Sequence, residues 1–320
     1  MKQLNEHKPL KVMIVGARSK TAEAIARVLN AETAWKFIML SSGVNDVEHS
    51  GRLSLYPTNY TGTKEAKDIF LRELPDVVVN TAAMTNVDAC EENRREAWQA
   101  NVQWVEFLIR MCKITDARLV QFSTDYIFDG ARGPYTETDA PNPINYYGKT
   151  KLAGENVCRT ANIPCAIIRT NVVYGFSAYG HTDFVRWTVD RLREGKQFAV
   201  VTDQFSNPTL TDDLALITYR IIRNNSVGVF NAGGGEWLSR YEFARKIAQA
   251  FEYDPDHVQQ CTTADLQQKA KRPLNGGLIT LKTESATGVK PAIIEAGLIT
   301  LRRQIQVYNE QQLWPMSKKS

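Results

Sequence analysis

"KVMIVGARSKTAEAI", residues 11–25, decides the fold. A β-branched run ends at Gly16, and Ala22 and Ile25 then begin a helical spacing that continues through Ala26 and Leu29. A strand that turns on a glycine into a helix is where a dinucleotide-binding protein rests a pyrophosphate on the helix N-terminus. Only the first of the usual three glycines is present; Ser19 and Ala22 stand where the others fall. Ala22 is small enough to let the helix pack near the strand. Ser19 brings a Cβ and a hydroxyl to the tightest point, where it either clashes with a phosphate or donates a hydrogen bond to one. The helix N-terminus keeps its N–H groups and its positive end, and Arg18, Lys20 and Thr21 add charge and a donor. Retained nucleotide binding is the reading adopted.

Outward from this stretch the chain alternates strand and helix. "KFIML" (36–40) is a strand, "AKDIFLREL" (66–74) a helix closed by Pro75, and "DVVVNTAA" (76–83) an apolar strand of the kind buried on both faces of a parallel sheet. A long helix is expected from about Arg95 to Lys113, then strand "RLVQFST" (118–124), a helix through "YYGKTKLAGENVCRT" (146–160) and strand "CAIIRT" (165–170). The alternation predicts an α/β, doubly wound parallel sheet with ligands at the carboxyl ends of its strands. After Val172 the rhythm loosens. Helices are expected in 183–195, in the second half of 207–222 and in 239–251, where Ser239 and Glu242 form a capping-box pattern; "KRPLNGGLITL" (271–281) reads as loop.

The bulk numbers exclude several classes. The 320 residues are 43% hydrophobic and 23% charged with net charge +4, which suits a soluble globular protein and gives no sign of a nucleic-acid binder. Five scattered cysteines without a CxxC pair argue against a disulfide framework or zinc cluster and for reduced thiols in a cytoplasm. The start "MKQLNEHKP" lacks the apolar core of a signal peptide, and no apolar run approaches the roughly 18 residues of a membrane span. Residues 1–9 and 315–320 read as tails. The four histidines stand alone, so no metal site is expected.

Tyr147 and Lys151 lie four apart on one helix face. A free phenol titrates near about 10, and a cation one turn away is expected to pull that value down until the phenol can exchange a proton with a carbonyl or alcohol. Twenty residues upstream a strand ends in Thr124, whose hydroxyl can hold the same oxygen; Ser123 is the alternative, but strand alternation aims only one of them at the site. Small Ala82 and Ala83, after another strand end, let a ligand approach the backbone.

The runs "STDYIFDG" (123–130), "YGKTKLAGE" (147–155), "IIRTNVVYG" (167–175), "DQFSNPT" (203–209), "YEFARKIA" (241–248) and "KRPLN" (271–275), in this order, resemble the dTDP-4-dehydrorhamnose reductase family of extended short-chain dehydrogenases/reductases. The resemblance runs from about residue 10 to about 312. It implies a Rossmann domain (10–172 plus about 209–232) with a smaller C-terminal α/β substrate domain (173–208 and 233–314). It assigns a triad of Thr124, Tyr147 and Lys151, places Asp125 and Tyr126 beside the substrate, and lines the cofactor with Ala82, Ala83 and Thr85. Asn59, where the family usually has Asp near the adenine, and Tyr60 complete the cofactor set. Arg272 and Asn275 match the substrate-side loop, with Arg272 suited to a diphosphate; Gly276 replaces the usual serine. Val172 stands where the family commonly packs a tryptophan on the sugar, so either the sugar differs or Tyr174, Phe176 or Tyr179 takes over.

The implied chemistry is hydride transfer from NAD(P)H to a nucleotide-linked 4-keto-6-deoxy sugar, with the proton from Tyr147. The second strand ends in Ser41 and Ser42 with no acid, so Arg18 with these serines can hold a 2′-phosphate: NADP(H) is expected over NAD(H). Two other readings stay open. One is a non-catalytic dinucleotide-binding regulatory subunit, resembling that of methionine adenosyltransferase. The other is a sugar-nucleotide epimerase or dehydratase, although Tyr126 stands where a dehydratase would want a second acid. The expected partner is a small nucleotide sugar, without nucleic acid or membrane; a homodimer fits the reading.

Overall fold

Apolar runs at 12–15 and 77–79 have no polar face to offer water, so they sit at the centre of the molecule. In the computed structural model, which describes residues 9–42, 47–58 and 63–310, they are β1 (Lys11–Val15) and β5 (Val77–Asn80) of an eight-stranded sheet. The other strands are β2 (Lys36–Ser41), β3 (Glu48–Ser50), β4 (Leu53–Pro57), β6 (Arg118–Thr124), β7 (Cys165–Thr170) and an edge strand Gly228–Asn231. Their order is edge strand, β7, β6, β5, β1, β2, β4, β3, and every pairing is parallel except β3 with β4. From β1 the chain winds one way through β2; from β5 it winds the other. The switch point lies between the carboxyl ends of β1 and β5, where a doubly wound sheet opens its ligand crevice.

Strand alternation sends two apolar sets to opposite faces. Val12, Ile14, Val77, Val79, Val120 and Phe122 pack against helix α1 (Lys20–Glu32) and against Leu214, Ile217 and Ile221. Met13, Val15, Val78 and Leu119 pack against α2 (Thr63–Glu73) and against Trp104, Phe107 and Leu108. The single helix expected over 95–113 is broken into α3 (Val87–Glu92), α4 (Arg94–Trp98), a π turn (Gln99–Gln103) and α5 (Trp104–Thr115). The π turn pushes Asn101 inward. Its side chain accepts from Met84 N at 2.9 Å and donates to Met84 O at 3.1 Å and Thr150 Oγ1 at 2.9 Å. The loop after β5 is thereby fastened to α6 (Tyr146–Arg159), the helix that carries Tyr147 and Lys151.

A third cluster lies off the sheet. Tyr174, Val185, Phe243, Ile247, Ile294 and Leu298 join α7 (Phe184–Arg193), α9 (Arg240–Ala250) and α11 (Ile294–Glu310); α8 (Thr211–Arg223) returns to the sheet. The capping box of Ser239 and Glu242 is present as read. The sequence reading stopped at the 271–281 loop and missed α10 (Leu281–Thr287) and α11, whose Ile294, Leu298 and Leu301 lie on one face. The domain division puts α10 with the substrate unit, yet it packs on the sheet: Ala286 and Val289 join the α1 and α8 core, and Lys282 lies 5.0 Å from the Phe230 ring.

Candidate active site

The glycine turn answers the question Ser19 raises. Gly16 has φ +83, and a Cβ there would lie 2.8 Å from Ala82 N, so only glycine lets the two strand-end loops close into a cradle. Ser19 has φ −69, an ordinary value that calls for no glycine. Its hydroxyl turns inward, accepting from Ala22 N at 3.1 Å as the N-cap of α1, and lies 2.9 Å from Thr81 Oγ1. Thr81 gives its own proton to Val15 O at 2.8 Å, so Ser19 donates to Thr81. The serine neither blocks the cradle nor reaches into it as a phosphate donor. Ser19→Ala should therefore lower Tm by a few degrees through loss of a cap of about 1 kcal/mol. NADPH affinity should stay within about threefold in a fluorescence titration.

Other residues of the cofactor set fall unequally around this cradle. Gly16 N and Ala17 N both donate to Leu40 O at 3.0 Å, bringing the turn to the end of β2, where Ser41 is buried. Ala82 and Ala83 are half-buried on the facing loop, Thr85 is exposed at its outer end, and Thr21 lies in the first turn of α1. Arg18 lies 4.7 Å above the ring of Tyr179. Lys20 departs from expectation: its ammonium pairs with Asp183 at 2.5 Å, where both side chains are nearly buried. Asp183 is the N-cap of α7, so the charge read as a phosphate contact joins the sheet domain to the third cluster. Asn59 and Tyr60 lie outside the described residues.

The triad assembles where β6 ends against α6. Thr124 and Tyr147 are both buried, with the Thr124 hydroxyl close enough to the phenol to act on its pKa. Lys151, one turn on, donates to Phe122 O at 2.8 Å. Its effect on the phenol is not the one expected. Burial pushes the Tyr147 pKa well up, Asp125, Cys90 and Tyr126 add to the rise, and only Thr124 opposes it. Burial also lowers Lys151 to about 8 against the pull of Glu155. The phenol therefore holds its proton at neutral pH, which is the form a proton donor needs.

On the substrate side Asp125 and Arg272 are engaged within the fold. Asp125 is buried and does not present a free oxygen: Thr124 donates to Oδ1 at 3.3 Å, and Asn171 and Gly277 N donate to Oδ2 at 3.2 and 3.1 Å. It ties β6 to the 271–277 loop, which also removes the acid that a dehydratase would use. Arg272 is held by Asp88 at 2.8 Å with its side chain 9% exposed, so its guanidinium is committed to α3. Burial works against the Asp88 charge, but Ala270 N and Arg272 hold its pKa below the usual carboxylate range. Asn275 is pinned through its backbone, N to Gly130 O at 2.9 Å and O from Gly133 N at 3.2 Å.

Val172 holds φ +39, an uncommon conformation for a β-branched residue, and packs against the third cluster. None of the three aromatics proposed to replace its missing ring is free to do so. Tyr174 is buried against Phe243, Phe176 packs on Tyr308, and Tyr179 lies under Arg18. Tyr126 lies edge to face with Tyr147, ring centroids 5.9 Å apart. Burial raises its pKa and the charge of Arg240, a residue the sequence analysis did not single out, opposes the rise. A cavity of about 700 Å³ lined by Lys20, Phe176, Asp183 and Arg302 contains no triad residue.

The model of the RmlD substrate binding domain family matches residues 10–306, and the chain belongs to this family. A dTDP-4-dehydrorhamnose reductase of Aggregatibacter actinomycetemcomitans is 30% identical over 305 residues, 91% of this chain and 98% of that protein. Methionine adenosyltransferase 2 subunit beta of Bos taurus is 32% identical over 230 residues, 66% of this chain and 65% of that protein. The crystal structure of dTDP-4-dehydrorhamnose reductase from Bacillus anthracis in complex with NADP superposes with TM-score 0.83 at 24% identity, covering 93% of this chain and 100% of that one. Among the described residues no helix is long and apolar enough to cross a membrane.

Proposed function

We propose that this RmlD-family chain is an NADPH-dependent reductase of a 4-keto group on a nucleotide-linked 6-deoxy sugar, similar in action to dTDP-4-dehydrorhamnose reductase. The observation that carries this reading is the meeting of the buried Thr124 and Tyr147 side chains where β6 ends against α6, set beside the Gly16–Ala82 cradle with Lys151 one turn away. The cradle fits a dinucleotide, because only a residue without a Cβ leaves room there and α1 points its N-terminus into the switch point. Gly16, Arg18, Thr21, Ser41, Ala82, Ala83 and Thr85 would hold it, and a reduced nicotinamide supplies the hydride when bound. Thr124 orients the substrate oxygen, Tyr147 donates the proton to it, and Lys151 provides the neighbouring positive charge. Residues 173–208 and most of 233–314 serve as the substrate unit.

Arg18 and Ser41, with no acid at the end of β2, support NADPH over NADH. A titration should show saturable binding of both, tighter for NADPH by about tenfold or more, from the charge-assisted bonds of one phosphate. No binding of either would end the dinucleotide reading. A second reading, a regulatory subunit that binds dinucleotide without turnover, draws on the partial similarity to the methionine adenosyltransferase subunit.

The pH dependence follows from Lys151. Its pKa of about 8 means that the ammonium is largely charged at neutral pH and loses its proton above that value. The reductive kcat/KM should be level near neutrality and fall above about pH 8. A profile still level two units higher would remove Lys151 from the proton-transfer step.

A further inference from the structure

With Val172 packed away and Arg272 held by Asp88, the cleft lacks both the flat surface and the cation that the sequence led one to expect there. Both features stand elsewhere on its rim. Trp237 lies on Phe205, ring centroids 4.6 Å apart and planes 20° from parallel. The indole N–H donates to Gly276 O at 3.0 Å, which fixes the edge of the ring, yet Trp237 is 42% exposed. The glycines beneath it make this possible. A Cβ on Gly277 would lie 2.8 Å from the indole Cδ1, and a Cβ on Gly276 would lie 2.9 Å from Asp125 Oδ2. A serine at 276 would therefore press on Asp125, the neighbour of Thr124.

Three residues after Trp237, Arg240 opens α9. Its backbone N–H donates to Gln204 O at 2.9 Å, beside Phe205, its guanidinium lies 4.9 Å above the Phe184 ring, and its charge opposes the rise that burial gives the pKa of Tyr126, the ring next to Tyr147. Its positive charge also acts on the buried Asp125. A backed, edge-fixed indole with an exposed face suits a planar π system, and a guanidinium beside it suits a phosphate.

We propose that Trp237, backed by Phe205, stacks the nucleobase of the substrate, and that Arg240 rather than Arg272 binds its diphosphate. This rests on the nucleotide-linked sugar reading above. The three recognition points then follow the order of the substrate: base on Trp237, diphosphate on Arg240, keto carbon at Tyr147.

The test is binding of free dTDP, and separately thymidine, to the NADPH-loaded full chain. The variants are Trp237→Ala, Trp237→Phe and Arg240→Met. The wild type should bind dTDP saturably. Trp237→Ala should weaken dTDP about tenfold and Trp237→Phe about threefold or less, the scale of losing or keeping one base stack. Arg240→Met should weaken dTDP about tenfold and leave thymidine unchanged. Unchanged NADPH affinity in each variant verifies that it is folded, and Arg240→Met and Trp237→Phe carry the test if Trp237→Ala is not. Variants that bind dTDP as the wild type does would overturn the assignment of these two residues. A wild type that binds NADPH but no dTDP would instead overturn the dTDP-sugar reading on which it rests.

Discussion

Tyr147→Phe should abolish reduction while leaving the nucleotide cradle intact. Phenylalanine keeps the ring that packs edge to face on Tyr126 and loses only the hydroxyl beside Thr124. That hydroxyl is buried and held in its protonated form, because burial pushes its pKa up and Asp125 and Tyr126 add to the effect. A positioned proton donor contributes about 100- to 10,000-fold to such a step, so kcat should fall about a thousandfold. Cradle residues Gly16 and Ala82 lie on the β1 and β5 loops, not on α6, so NADPH affinity should change less than threefold. A variant that keeps more than a tenth of wild-type kcat would show that the proton comes from another group.

The second large effect is on stability and reaches the same helix. Glu155 and Arg169 form a two-point ion pair, Nε to Oε1 and Nη2 to Oε2 both at 2.9 Å, with side chains 0% and 1% exposed. Arg169 also faces the Phe128 ring at 5.3 Å, and Arg159 adds a third bond to the carboxylate at 3.1 Å. Arg169→Met leaves the Glu155 charge buried with the half-exposed Arg159 as its remaining ion-pair partner. Breaking a buried pair from one side costs about 3–5 kcal/mol, or roughly 10 °C in Tm for a chain of this size. Arg169→Met with Glu155→Gln should recover much of that loss, since no buried charge remains unpaired.

The sign with pH is fixed by the same groups. Burial alone would raise the Glu155 pKa, but the bonds from Arg169 hold it below the usual value. The pair therefore stabilises the fold at pH above the unfolded carboxylate value, near about 4.3, and is lost as pH falls through the lower folded value. In Arg169→Met that dependence should weaken, because Glu155 no longer titrates below its unfolded value. Glu155 also sits one turn from Lys151 and raises its pKa against burial. Any variant that neutralises Glu155 should move the alkaline fall in kcat/KM to lower pH.

The sheet and the placing of Tyr147 and Lys151 on one helix were legible because their signals are local. A continuous run such as residues 77–80 can only be a buried strand, and Tyr147 and Lys151 are neighbours by helical geometry whatever the rest of the chain does. What was not legible depends on partners far along the chain. Lys20 meets Asp183 across 163 residues and Arg272 meets Asp88 across 184, so two cations that looked poised for phosphates are engaged in holding the fold. Ser19 looked like an obstacle because the loss of a glycine is visible, while its ordinary φ and its bond to Thr81 are not. The Tyr147 pKa was read from its nearest cation, whereas burial, a property of the whole fold, sets its direction. Trp237 and Arg240 gave no motif at all; the stacking of Trp237 on Phe205 and the bond of Arg240 N to Gln204 O bring them to the cleft.

The most direct measurement is oxidation of NADPH by the isolated wild-type chain on addition of a dTDP-linked 4-keto-6-deoxy sugar. The expected result is loss of reduced-nicotinamide absorbance, one NADPH per sugar consumed, with no second protein present. A chain that binds NADPH and dTDP yet oxidises none with any such sugar would contradict the reductase assignment and leave the dinucleotide-binding regulatory subunit as the reading that stands.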